Sequence, residues 1–193
     1  EMEEKIDLLT GHVHAINVTD NPGATAHMSS LAGCSIVRNK GIDPIFQVTC
    51  RDRNRLAIQS DLMGASALGI NNVLTLAGDP VKNGDQPDAK AVFDVNSKKI
   101  LSIMQSMNDL GETMSGRQLQ TKSNFFAGGA AIIHEPENHW DPIALKDKVA
   151  HGAKFIQTQF CYDVDLLRDY MKHIVDAGLS EKLFFIIGIG PLR

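Results

Sequence analysis

The stretch Asn72-Val-Leu-Thr-Leu-Ala-Gly-Asp-Pro80 opens on a strand, 72–77 (NVLTLA), that is apolar on both faces and is followed by a carboxylate. Its aliphatic and β-branched run suits an extended backbone, and Gly78 and Pro80 punctuate its end. A strand apolar on both sides must be covered on both sides, as in a parallel sheet layered with helices. Five further runs share this character: 14–19 (HAINVT), 45–50 (IFQVTC), 125–132, 155–160 (FIQTQF) and 183–189, each bounded by Gly, Pro, Asn or Asp. Between them the spacing predicts helices over 2–10, 25–38, 52–69, 96–110, 143–152 and 164–177. In the third, Leu56, Met63, Ala67 and Leu68 with Ile70 are expected to form the apolar stripe.

Strands alternating with helices leave two architectures, an open doubly wound sheet and a (β/α)8 barrel. The doubly wound dinucleotide fold carries GxGxxG after its first strand, and that motif is missing. Polar residues instead follow nearly every strand: Thr19-Asp20-Asn21, Thr49-Cys50-Arg51-Asp52, Gly78-Asp79-Pro80, His134-Glu135 and Gln157-Thr158-Gln159. Polar groups gathered from many strand ends describe the active face of a TIM barrel. The expected fold is therefore an α/β (β/α)8 TIM barrel with about six of its eight strands present. On this reading residues 1–193 are one barrel domain and an interior portion of a longer chain, since a whole barrel takes about 250 residues.

Composition narrows the function classes. The 193 residues are 43% hydrophobic and 22% charged with a formal net charge of −4. Basic residues are scattered, which argues against nucleic acid or an anionic lipid surface as a partner. The longest apolar stretch, 183–192, is broken by Gly188, Gly190 and Pro191, and falls short of the roughly 18–20 residues of a spanning helix. Three cysteines, Cys34, Cys50 and Cys161, with no CxxC, point to a reducing, cytoplasmic setting rather than a disulfide framework or a structural zinc.

Several residues carry candidate chemistry. Asp79 either caps the segment after it or stands at the barrel mouth, where Gly78 lets the backbone approach a flat ligand. Strand alternation places Gln157 and Gln159 on one face, as it does Gln47 and Thr49, and amides so placed need hydrogen-bond partners from the protein or from a polar ligand. The loop His134-Glu-Pro-Glu-Asn-His-Trp-Asp-Pro142 lacks the helical spacing of a metal site and reads as a ligand-contacting loop; no metal is expected. Asp141 can cap the helix from Ile143 or take a pair of hydroxyls. Lys148 is either a surface lysine or one that reaches a phosphate.

Taken together, the segments Asn17-Val-Thr-Asp20, Gln47-Val-Thr-Cys-Arg-Asp-Arg-Asn54, Gly69-Ile-Asn-Asn-Val-Leu-Thr-Leu-Ala-Gly-Asp-Pro80, Phe125-Phe-Ala-Gly-Gly-Ala-Ala131 and Lys146-Asp-Lys-Val-Ala-His-Gly-Ala-Lys-Phe-Ile-Gln-Thr-Gln-Phe160 resemble the flavin-dependent methylenetetrahydrofolate reductases. They occur in order over nearly the whole chain. The resemblance implies a barrel that binds FAD at its strand ends and reduces methylenetetrahydrofolate to methyltetrahydrofolate by ping-pong hydride transfer, a step of one-carbon metabolism that feeds methionine synthesis. Electrons come from NADH, NADPH or a redox protein.

Carried over by position, Asp79 looks like the carboxylate beside the flavin pyrimidine that favours positive charge on the folate, and is the catalytic candidate. Gln159 looks like the glutamine that holds the pterin. Thr19, Gln47, Thr49 and Gly78 fall among the flavin-ring contacts, Asp141 and Lys148 at the ribose and phosphate, and Ala131 with His134 on the adenine side. The chain departs from the family at Gln47, where several relatives have histidine, and at Ala77, where they have arginine. The family's acid, a glutamate on its first strand, has no counterpart among these residues. Two other readings compete: a folate barrel that passes a methyl group to a corrinoid protein, and a non-catalytic barrel subunit of an electron-transfer complex. An open barrel edge also predicts an oligomer.

Overall fold

A computed structural model describes residues 1–136 and 140–191. Its elements run α1 (Met2–Leu9), β1 (Ala15–Val18), α2 (Ser30–Asn39), β2 (Asp43–Thr49), α3 (Arg55–Ala67), β3 (Asn72–Leu76), α4 (Ser97–Asp109), β4 (Phe126–Ala131), α5 (Ile143–Ala150), β5 (Phe155–Phe160), α6 (Val164–Asp176) and β6 (Phe184–Gly188). Short 3₁₀ turns at Pro22–Ala24 and Val81–Asn83 follow β1 and β3. The six strands form one sheet in sequence order, with every neighbouring pair parallel.

One hydrogen bond gives the shape of that sheet. Asn17 on β1 donates through Nδ2 to Oε1 of Gln157 on β5 at 2.6 Å. In a flat sheet, strands four spacings apart stand on the order of 19 Å from each other. The sheet is therefore curled into the greater part of a barrel, with these two amides meeting across the lumen. Six of the strands of a (β/α)8 TIM barrel are present, as the alternation of elements predicts.

Strand alternation sorts the residues into two layers. Phe46, Val48, Val73, Ala127 and Ile156 point outward and are buried with Ile58, Leu62, Ile100, Met104 and Ile174 of the helices. Each of these side chains larger than alanine contributes roughly 1.5–3 kcal/mol through burial. Gln47, Leu74, Gly128 and Phe155, in register across β2 to β5, face the lumen. Below the amides the lumen is aromatic: the Phe126 ring stacks on Phe155, centroids 5.4 Å apart, and meets Phe184 at 5.9 Å.

Local chemistry sets the helix starts and corrects three expectations. Helix α2 begins at Ser30 rather than near residue 25, because the Ser29 hydroxyl accepts from the Ala32 N–H and the residues before it form an irregular loop containing left-handed Asn21 and Ala24. Asn54 caps α3 through the N–H groups of Leu56 and Ala57. The buried face of α3 is Ile58, Gln59, Leu62 and Ala65; of the stripe expected from Leu56, Met63, Ala67 and Leu68 with Ile70, Ile70 is buried and Met63 packs against the core, whereas Leu56, Ala67 and Leu68 are exposed. Asp141 does not cap α5, whose N-cap is Pro142 with no side-chain bond; its carboxylate pairs with Lys146 at 2.6 Å. The middle of the His134–Pro142 loop, residues 137–139, lies outside the described residues. No described helix is long and apolar enough to cross a membrane.

Candidate active site

The carboxyl ends of the strands open into a cavity of about 590 Å³. Thr19 stands after β1, Gln47 and Thr49 on β2, Gly78 and Asp79 after β3, and Gln157 and Gln159 on β5, and all of them line it. Residues as far apart in sequence as 19 and 159 thus converge on one rim. A second cavity of about 550 Å³ lies between the tops of β4, β5 and α5 and is lined by Ala131, His134, Trp140, Asp141, Lys148 and Tyr170. Ala130 and Gln159 border both cavities, so the two adjoin as lobes at the tops of β4 and β5.

In the first lobe, Asp79 is exposed and accepts through Oδ2 from the Gly23 N–H at 2.9 Å, which ties it to the β1 loop instead of to the turn at Val81–Asn83. Gly78 is required for packing: its φ is +94°, and a Cβ there would sit 2.9 Å from Arg51 Cβ and 3.3 Å from Thr49 Cβ. The Thr49 backbone N–H and hydroxyl both donate to the buried Asp20 carboxylate, at 2.8 and 2.9 Å, and Arg53 closes that site as a third donor. Gln47 is buried with its side chain toward the lumen, whereas Gln159 is exposed on the rim.

The second lobe is aromatic and cationic. The His134 ring stands edge-on to Trp140 at 4.9 Å and to Tyr170 at 5.6 Å, and Trp140 leans on Tyr170 at 5.2 Å. Lys148 crosses Gly129: a Cβ at 129 would lie 3.1 Å from the lysine Cδ. Burial, and secondarily repulsion from Lys98, pull the Lys148 ammonium below the usual lysine range. A half-buried cation with its charged form disfavoured is stabilised by an incoming anion.

The sequence singles out neither Asn17 nor Tyr170, and it marks Asp20 and Arg51 only as polar residues at strand ends. Arg51 reads in the sequence only as one of the polar residues after a strand, yet its side chain is 2% exposed and lines the first lobe. The one available signal was the acid next to it, Asp52, which takes its charge. A third cavity, about 680 Å³, lies on the outer side between α3 and residues 113–117. Its polar groups serve the fold, with Arg55 holding Asp94 and the Gln59 amide accepting from the Met114 N–H.

A parallel β/α barrel sheet with two adjoining lobes over its carboxyl rim defines a barrel-type ligand-binding enzyme scaffold. Comparison with known proteins narrows that class. The family model described as Methylenetetrahydrofolate reductase matches residues 1–192, and the chain belongs to that family. It is 27% identical over 183 residues to methylenetetrahydrofolate reductase 1 of Schizosaccharomyces pombe, covering 92% of this chain and 28% of that protein. It is 23% identical over 169 residues to a probable methylenetetrahydrofolate reductase (NADPH) of Caenorhabditis elegans, covering 85% and 23%. To methylenetetrahydrofolate reductase (NADH) 1 of Arabidopsis thaliana it is 27% identical over 154 residues, covering 78% and 25%. The chain thus spans about a quarter of the length of these relatives.

Proposed function

We propose that this chain forms the flavin and folate rim of an enzyme that reduces methylenetetrahydrofolate to methyltetrahydrofolate, with NADH, NADPH or a redox protein as electron source. The observation that carries the reading is the pair of adjoining lobes, which brings an exposed carboxylate and an amide rim to one lobe and a half-buried ammonium with aromatic rings to the other. These residues fit FAD in chemistry and in division. Thr19, Gln47, Thr49, Gly78 and Asp79 border the polar lobe suited to a heterocycle, Lys148 and Asp141 suit phosphate and ribose, and Ala131 with His134 suits adenine. FAD, when bound, would supply the hydride chemistry.

The protein's own groups do the rest. Asp79, fixed by the Gly23 N–H, places negative charge where the folate becomes positive. Gln159 on the rim can donate and accept, and so orients a pterin edge. Lys148 offsets phosphate charge from a position fixed by its passage over Gly129.

Titration of the protein with FAD tests this directly. Uptake yields a yellow protein absorbing at about 450 nm. Trp140, the chain's single tryptophan, borders the second lobe, so its emission should be quenched in step. Asp79→Asn should leave FAD affinity within about twofold and slow the folate half-reaction by on the order of tenfold or more relative to flavin reduction. Protein that takes up no FAD, or a variant slowed equally in both half-reactions, refutes the assignment.

A further inference from the structure

Arg51 is among the largest fully buried side chains of the molecule, and a buried guanidinium is costly unless its charge and its N–H groups are all answered. Asp52 answers the charge in a fork, accepting from Nε at 2.6 Å and from Nη2 at 2.7 Å. That fork is itself stitched to the β1 loop, since Asn21 donates to Asp52 at 3.2 Å. Hydrogen bonding from Arg51 in turn holds the Asp52 carboxyl below the usual carboxylate range.

The remaining donors reach outward to two neighbouring loops. Nη2 donates to the carbonyl of Asn21 at 3.1 Å, and Nη1 donates to the carbonyl of Asp79 at 3.3 Å. The Arg51 Cβ packs under Gly78 so closely that no side chain fits there. Strand β3 ends at Leu76, so Asp79 lies beyond the sheet's own hydrogen bonds. It is anchored at its carbonyl by Arg51 and at its carboxylate by Gly23. The two carbonyls take donors that the Asp52 fork leaves open, and in doing so they tie two loops to one side chain.

We propose that Arg51 is a positioning residue: it clasps the loops after β1, β2 and β3 and fixes Asp79 for its part in the reaction. Because Asp52 takes up the guanidinium charge, Arg51 grips the Asp79 backbone and leaves the carboxylate outside the fork. This inference rests on the reading of Asp79 given above.

The test compares Arg51→Lys, Asp79→Asn and the double variant in FAD-loaded protein. Lysine keeps a cation beside Asp52 but lacks the fork and its extra donors. Arg51→Lys should slow the folate half-reaction by on the order of ten- to a hundredfold, as a misplaced group does. Flavin reduction and FAD affinity, the latter followed by Trp140 emission, should fall far less than the folate half-reaction, a selectivity that a general loss of structure would not give. In the Asp79→Asn background the same change should add almost nothing. Without any turnover, hydrogen exchange at the Gly23 amide, which is bonded to Asp79, should accelerate in Arg51→Lys while the Ile58 amide of α3 stays protected.

Multiplicative losses in the double variant, or an unchanged Gly23 amide, overturn the role of Arg51. An Asp79→Asn protein with full folate activity overturns the reading of Asp79 instead, and the clasp's catalytic purpose with it. If Arg51→Lys does not fold, Asp52→Asn keeps the guanidinium and loosens its fork, and it must show the same selective slowing and faster Gly23 exchange for the proposal to stand.

Discussion

Adding one methyl group to the lumen, by Gly128→Ala, should destabilise the protein through a specific partner. The new Cβ would meet three Phe155 ring atoms at 2.5 to 2.6 Å, where ordinary contact begins at 3.4 Å. The ring must therefore retreat by about 0.9 Å, the difference between those distances. It is 2% exposed and already stacked on Phe126, so the retreat disturbs the lumen floor. Overpacking of this kind costs about 1–3 kcal/mol. For a chain of this length, 2 kcal/mol lowers Tm by roughly 4–8 °C. Urea unfolding followed by circular dichroism should show a reduced midpoint at unchanged slope. Phe155→Leu shortens the side chain at the point of contact and on its own costs about 1 kcal/mol, but combined with Gly128→Ala it should restore about 1–2 kcal/mol relative to the sum of the single changes. Strict additivity, or a Gly128→Ala protein as stable as the parent, would refute the lumen packing described above.

Two other outcomes are expected. Gln159→Ala should raise the KM for the folate severalfold at nearly constant flavin-reduction rate, measured in separate half-reactions; an unchanged KM removes Gln159 from the folate site. Asp94, held down to about 2 by hydrogen bonds from Arg55, and Asp52, lowered by Arg51, both have folded values below their unfolded ones. Their stabilisation is complete above the unfolded value of about 3.9 and is lost as pH falls through the folded values. Tm should stay flat down to about pH 4 and fall below it, with a shallower fall in Asp94→Asn; an identical slope in that variant contradicts the pairing.

The strands were legible within one or two residues because each apolar run carries its own punctuation, as Gly78 and Pro80 do for β3. The buried face of α3 was not, since Leu56 and Leu68 fit a helical stripe as well as Ile58 and Leu62 do, and only packing against the rest of the core selects between them. Among the rim residues, Gln47 and Gln159 could be picked out from strand alternation and Thr19 and Asp79 from their place just after a strand, both local properties. Arg51 could not, because a buried arginine depends on Asp52 beside it and on carbonyls from loops 28 to 30 residues away. The Asn17–Gln157 contact spans 140 residues, and nothing in either segment points to the other.

Strand β4 carries two glycines in succession with opposite outlooks. Gly128 admits the Phe155 ring on the inside, and Gly129 admits the stem of Lys148 on the outside. At that point the barrel stave is bare backbone, with an aromatic disc leaning on one side and a cation's tether on the other. Pressure applied to either side therefore has no side chain to absorb it, and a repacked interior would be felt at the anion-seeking lobe through the backbone itself.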